Sequence, residues 1–230
     1  MRLRGRWWLG LVAGGCIGLA QAQPDPSAPG VCTPAERCRL VAEAGWLLLQ
    51  DGAATVARWP LQDAQGHAAG LLAAMQAPPR RSFLVVLSGV PELWEISIDP
   101  DAAPVYDGLV HDWRMGEGIA RPGYLGLRRT RLARPWAAVF FDARMPWLVG
   151  AEAGEGGAPA AQAVVLHLDI RREVLRLGLD ARHQPPLQGT ALERIDAGSW
   201  RLKLPAPDGR WQWVDTQRWT VLPAEGAKPD

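Results

Sequence analysis

Two clusters of polar side chains have the composition that chemistry needs. The run Val110-His-Asp-Trp-Arg-Met-Gly-Glu-Gly118 sets His111 beside Asp112, with Arg114 and Glu117 close behind. A neutral imidazole ligates iron, and a neighbouring carboxylate fixes which ring nitrogen it presents. Shortly after it, Arg121, Arg128, Arg129, Arg131 and Arg134 form the one basic concentration in the chain. Guanidinium groups offer planar forks of donors that match carboxylates two bonds at a time. His111, Arg114, Arg128 and Arg129 are therefore the candidate cofactor contacts, on a loop reaching from His111 to Arg134. The plainer alternatives are a polar cluster that pins a long loop and a solvated basic run.

Other residue types point to structure. His67 lies in a Gly-flanked turn, and alternation in Val165-Leu-His-Leu-Asp169 sends His167 away from Leu166 and Leu168. Asp99, Asp101 and Asp107 would suit calcium by ligand type, but their spacing is that of turns. The chain has no Ser-His-Asp order, Walker loop or zinc-type Cys/His spacing, so those enzyme classes have no support. No catalytic residue is assigned. Of twelve tryptophans, seven (Trp94, Trp136, Trp147, Trp200, Trp211, Trp213 and Trp219) lie in or beside apolar runs, where packing between sheets is the default role.

The elements that must carry these side chains read as strands. Trp46-Leu-Leu-Leu-Gln50 and Ala54-Thr-Val-Ala-Arg-Trp59 flank Asp51-Gly52, a hairpin signal. No long stretch keeps apolar residues at helical spacing. The run Val165–Asp169 followed by Val174–Leu177 overlays Trp211–Asp215 followed by Thr220–Leu222, and the two aspartates are 46 residues apart. That spacing falls within the roughly 40–50 residue period of propeller blades. A third copy, Leu93–Asp99, is separated from the second by the His111 loop. A further apolar pair precedes each copy, so each unit has the four strands of a blade. The expected fold is all-β, a partial array of about three to four four-stranded antiparallel blades over residues 40–223. A β-sandwich is the alternative, and the phase of the repeat favours the propeller. Open strand edges in such an array recruit partners, whether a second chain or another copy.

At the amino end, Arg2, Arg4 and Arg6 precede an apolar run from Trp7 to Leu19 and an Ala20-Gln-Ala22 cleavage pattern. This is the form of a secretory signal peptide over residues 1–22, too short to span a bilayer, which takes about 20 apolar residues. The expected location is the periplasm. Cys16 makes a lipoprotein the less favoured option, since Ala13 stands where leucine is usual. Residues 23–39 read as a flexible lead-in and 224–230 as a tail. In an oxidising compartment Cys32 and Cys38 favour a local disulfide, whose small loop limits its entropic contribution. Without the leader arginines, 22 basic residues face 24 acidic ones, which gives no electrostatic case for nucleic acid.

The stretches Pro91-Glu-Leu-Trp-Glu-Ile-Ser-Ile-Asp99 and Val110–Gly118, with the apolar runs around them, resemble the haem d1-type β-propeller proteins. That family includes the cytochrome cd1 nitrite reductases and their biosynthetic or haem-free relatives. The resemblance implies an eight-bladed periplasmic propeller with haem d1 over its central opening. It also implies iron-ligating histidines in loops above the strands and basic side chains on the haem carboxylates. The chain departs from that pattern at two places. Pro135-Trp-Ala-Ala138 stands where the family has polar or histidine residues, and Pro186 stands where a second histidine falls, with His183 three residues earlier. A pocket without those groups lacks a proton donor for bound nitrite. The resemblance therefore implies a non-catalytic periplasmic protein with a binding or accessory role toward haem d1, a cytochrome or a denitrification partner. A d1-type nitrite reductase, a haem d1 biosynthesis enzyme and a degenerate protein-binding scaffold are the alternatives.

Overall fold

The computed structural model describes residues 38–106, 120–154, 159–179 and 186–222. The leader, Cys32, His111, Arg114 and His183 lie outside the described residues. Among the described residues no helix is long and apolar enough to cross a membrane. The chain begins with β1 (Cys38–Glu43), β2 (Trp46–Asp51) and β3 (Ala54–Pro60), paired in that order as a three-stranded antiparallel sheet. Ala44 and Gly45 join β1 to β2, with φ of 48° and 81°. Two consecutive positive φ values match the right-handed twist of the flanking strands, which makes a two-residue connection tight.

Three four-stranded antiparallel sheets follow. The first contains β4 (Gly70–Ala77), β5 (Ser82–Ser88), β6 (Glu92–Ser97) and β9 (Leu127–Arg131). Between β6 and β9 runs a long excursion that includes the short ladder of β7 (Val105–Tyr106) and β8 (Ala120–Arg121). The next sheet has β10 (Trp136–Phe141), β11 (Trp147–Ala153), β12 (Pro159–His167) and β13 (Arg172–Gly178). The last has β14 (Ala191–Arg194), β15 (Trp200–Pro205), β16 (Trp211–Asp215) and β17 (Thr220–Leu222). The fold is the all-β array of blades that the strand spacing predicts, and the leading hairpin is completed to three strands by β1. One reading is corrected. Leu127–Leu132, taken as part of a loop, is strand β9 over Leu127–Arg131, paired with β6 from Glu92↔Arg131 to Ile96↔Leu127. Its arginines hide the strand from a hydrophobicity pattern because β9 is an edge strand with half-buried side chains.

The sheets are stacked face to face, and three apolar seams hold them. Phe83, Val85 and Leu87 of β5 join Leu47 and Leu49 of β2 in the first seam. Leu84 and Val86, one residue out of phase, join Leu148, Val164 and Leu166 in the second. Val149, Val165, Leu202 and Leu204 fill the third. A strand whose two faces are both buried must be apolar at every position, which is why Phe83–Leu87 reads as an unbroken run. Edge strand β4 lies against edge strand β10 of the next sheet. That contact identifies the side on which the first strands of consecutive sheets converge, and it leaves β9 and β13 on the opposite rim.

Trp136 and Gly150 make the tightest contact in the second seam. Trp136 is 2 % exposed, and its ring lies so flat on β11 that a Cβ on Gly150 would stand 2.0 Å from it. The residue at the family's polar position is thus a packing residue. Pro186 is likewise buried, beside Leu187 of the third seam. Cys38, 4 % exposed, is disulfide-bonded. Trp94, Trp136 and Trp147 lie in the seams as expected, and Trp147 meets Trp219 edge to face at 5.3 Å. Trp211 and Trp213 depart from the expectation: they lie on the outward face of the last sheet with Lys203 and Arg201 above them.

Candidate functional site: an arginine-lined cleft on the rim

A cleft of about 1240 Å³ wraps the outer edge of β9. One wall is the end of β3 with Trp59 and Pro60, continued by the loop that holds Asp63. The opposite wall is Tyr124, Leu125 and the arginines Arg128, Arg129 and Arg171.

The Asp63 loop is organised by one carboxylate. Asp63 Oδ1 accepts from the backbone N–H of Gln65 at 2.9 Å and of His67 at 2.8 Å, while Oδ2 pairs with His67 Nδ1 at 2.8 Å. Burial alone would raise the Asp63 pKa, but the hydrogen bonds from His67 and the two backbone amides outweigh it and hold the carboxyl below its ordinary value of 3.8. A folded-state pKa below the unfolded one gives stability that is present above pH 3.8 and lost as the pH falls through the folded value. Asp63→Asn is therefore expected to lower the thermal midpoint at neutral pH, with the gap to the parent protein closing as the pH drops below 3.8. A pH series of melting curves checks this. A gap that stayed constant down to strong acid would count against the carboxylate's role.

Arg129 fastens that loop to β9. Its Nη1 donates to the Gln62 carbonyl at 3.0 Å and to Glu92 Oε2 at 2.8 Å, and its guanidinium stacks on Trp94 at 4.9 Å from the ring centre. Trp94 Nε1 donates to the same Glu92 oxygen at 3.1 Å. Glu92 and Trp94 are buried, so Arg129 neutralises an internal charge. Its Nη1 is thus engaged within the fold, while Arg129 still lines the cleft.

Arg128 faces the other way. It stands opposite Glu95 across the β6–β9 ladder. Glu95 Oε1 accepts from Arg80 Nε at 2.9 Å and from Ser82 Oγ at 3.1 Å, and its Oε2 lies 3.5 Å from Arg171 Nη2. Arg80 also pairs with Asp169. Arg80 and Arg171 thus pair with Glu95, and Arg128 stands opposite it across the ladder. Burial lowers the Arg171 pKa; Glu95 opposes this, while the repulsion from Arg128 and Arg80 adds to it. Among the described residues Arg128 has no ion-pair partner.

Arg80, Arg171 and Glu95 were not singled out by the sequence. Arg171 sits in the β12–β13 turn at φ 52°, 43 positions from Arg128 in the chain, and only the stacking of two sheets brings the two together. Arg131 and Arg134 are exposed. His67 is exposed on its loop, and His167 at the end of β12 accepts the Asp169 N–H at 3.3 Å. Asp99 caps a turn through the Asp101 N–H and pairs with Arg81 at 2.8 Å. Among the described residues no group of three metal-ligating side chains occurs. The arginines of the described lining suit the carboxylates of a polycarboxylate ligand. His111 and Arg114, the expected ligand and its basic neighbour, lie outside the described residues.

These features define a class: a β-propeller-type stack of four-stranded antiparallel blades with an arginine-lined cleft on its rim. Neither the known protein-family models nor the curated proteins contain a match to the chain. Among solved structures the chain is similar to dihydro-heme d1 dehydrogenase NirN in complex with DHE, at 27 % identity and a TM-score of 0.58. The similarity covers 81 % of this chain and 35 % of that one, so the chain spans about a third of the length of that protein. The structure thus has a d1-type propeller fold.

Proposed function

We propose that this chain is a non-catalytic periplasmic protein of the haem d1 propeller type that binds a tetrapyrrole carboxylate at the Arg128–Arg171 cleft, as an accessory to haem d1 handling or to an electron-transfer or denitrification partner. The observation that carries this reading is the pairing of Arg80 and Arg171 with Glu95, with Arg128 opposite it across the β6–β9 ladder, beside a 1240 Å³ cleft. Like charges held together in a half-buried site favour an anion that separates them. The likeness to NirN supports haem d1 as the class of ligand. Planar guanidinium forks suit its ring of carboxylates, and Trp59 and Tyr124 offer flat apolar contact beside them. Within this reading Arg128 and Arg171 hold carboxylates and Arg129 keeps the wall in place. His111 supplies an iron ligand and Arg114 a further carboxylate contact. When bound, the haem would supply a redox-active iron.

The experiment is a titration of the purified protein with haem d1, followed by visible spectroscopy and by quenching of tryptophan fluorescence. Binding with a shifted Soret band is expected in the parent protein. Arg128→Ala combined with Arg171→Ala is expected to weaken binding by roughly a hundredfold or more, as loss of two charge-assisted pairs at about 1.5–3 kcal/mol each would do. His111→Ala is expected to abolish the Soret shift while fluorescence quenching remains. Turnover of nitrite with an electron donor would favour the enzyme alternative over the accessory one. An absence of any spectral or fluorescence change would leave the protein-binding scaffold.

A further inference from the structure

A second cavity, of about 310 Å³, lies on the side of the first four-stranded sheet that faces the next. It opens where β5 starts and β6 ends, with Ser82 and Ser97 opposite one another across the ladder. Arg80, Glu95, Asp99 and Arg128 complete its polar wall. Arg128 is common to this cavity and the large cleft, whereas Trp59, Tyr124 and Arg129 line the cleft alone.

The charges around the cavity do not cancel. Glu95 pairs with Arg80 at 2.9 Å and lies 3.5 Å from Arg171, Asp169 pairs with Arg80, and Asp99 pairs with Arg81 at 2.8 Å. Three carboxylates thus serve four arginines, and among the described residues Arg128 is the arginine that none of them pairs with. The donors left over point to the same chemistry. Ser82, 1 % exposed, donates to Glu95 Oε1 at 3.1 Å. Ser97 Oγ accepts the Asp99 N–H at 3.2 Å, so its hydroxyl proton is left to donate. Arg80 uses Nε on Glu95 and Nη1 on Asp169, which leaves Nη2. Both acids of the wall are already engaged, Glu95 by Arg80, Ser82 and Arg171, and Asp99 by Arg81 and the Asp101 N–H.

We propose that this cavity binds one small carboxylate against Arg128, Ser97 and Arg80, either free or carried as an arm of a larger ligand. A single negative charge balances the unpaired guanidinium, and a planar carboxylate accepts two parallel N–H bonds from it. Ligand sites begin at about 300 Å³, so this one holds an acid of a few carbons and excludes a macrocycle. It therefore stands apart from the tetrapyrrole reading of the cleft, although both draw on Arg128.

The test is calorimetric titration of the full chain with propionate at fixed ionic strength, with propionamide as the uncharged counterpart of the same shape. Propionate is expected to bind saturably, and propionamide not to bind. Arg128→Gln and Ser97→Asp are each expected to weaken propionate binding roughly tenfold or more, the first by removing the charge and the second by setting a tethered carboxylate beside it. Circular dichroism checks that both variants fold, and Ser97→Ala, with a smaller loss, replaces Ser97→Asp if that variant does not. Propionate that binds no better than propionamide overturns the proposal, and so does unchanged affinity in Arg128→Gln. Haem d1 titrated into protein saturated with propionate separates the two sources. Weakened haem binding means that a carboxylate arm of the ring takes the site, and unchanged haem binding means that the cavity serves a free acid. Haem d1 binding without propionate binding would remove this site and leave the tetrapyrrole reading intact, while the reverse would remove only that reading.

Discussion

Arg129→Met is expected to destabilise the protein by about 3–5 kcal/mol, the usual cost of removing one partner from a buried ion pair. The cost arises in what remains. Glu92, 5 % exposed, would be left beneath the cleft without its guanidinium partner, with the Trp94 indole N–H at 3.1 Å. The Gln62 carbonyl would lose its donor, and the Asp63 loop would lose its tie to β9. Arg129→Lys is expected to recover part of the loss, because an ammonium neutralises the charge but does not stack on Trp94 while reaching two acceptors. Glu92→Gln in the Arg129→Met background is expected to restore more than either single change predicts, since it removes the orphaned charge. Denaturant midpoints for the four proteins measure this coupling. Strict additivity would mean that Arg129 and Glu92 do not stabilise one another.

Gly150→Val carries the second large effect, and it acts through shape. With the Trp136 ring 2.0 Å from where a Cβ would stand, any side chain at position 150 must push the indole out of the second seam or move β11. Trp136 is 2 % exposed between two sheets. Overpacking costs about 1–3 kcal/mol in ordinary cores, and the upper end or beyond is expected for a displaced tryptophan. Trp136→Ala alone is expected to cost about 3–5 kcal/mol through the cavity it opens. In the Gly150→Val, Trp136→Ala double variant the valine occupies part of that cavity, so the combined loss is expected to be well below the sum. A calorimetric melting series checks the order of the four stabilities. Equal stability of Gly150→Val and the parent would show that the indole does not rest on β11.

The blade plan was legible because it rests on local signals. The Asp51-Gly52 hairpin signal, whose turn falls at Gly52-Ala53, unbroken apolar runs and the 46-residue repeat are properties of short stretches. Strand β9 was not legible, since Leu-Arg-Arg-Thr-Arg looks solvated. It is a strand because β6 offers a free edge and because Arg129 has a buried glutamate to reach. The candidate site divides along the same line. Arg128 and Arg129 are neighbours in sequence and were read as one basic unit, yet strand alternation sends them to opposite sides of β9. One neutralises Glu92 inside the fold and the other joins Arg80 and Arg171 around Glu95. The outward tryptophans were read as packing residues for a related reason: a strand's pattern shows which residues share a face, but not whether another sheet covers it.

By itself the sequence determined the strand class, the turns, the phase of the blades and the stretch in which cationic side chains gather. These follow from alternation, turn chemistry and composition, all of which act over a few residues. Only the tertiary structure decided which arginine pairs with a buried glutamate, which glutamates are buried and how the sheets stack. Those outcomes depend on the stacking of strands far apart in the chain, where the desolvation of a charge is set by neighbours that no local pattern specifies.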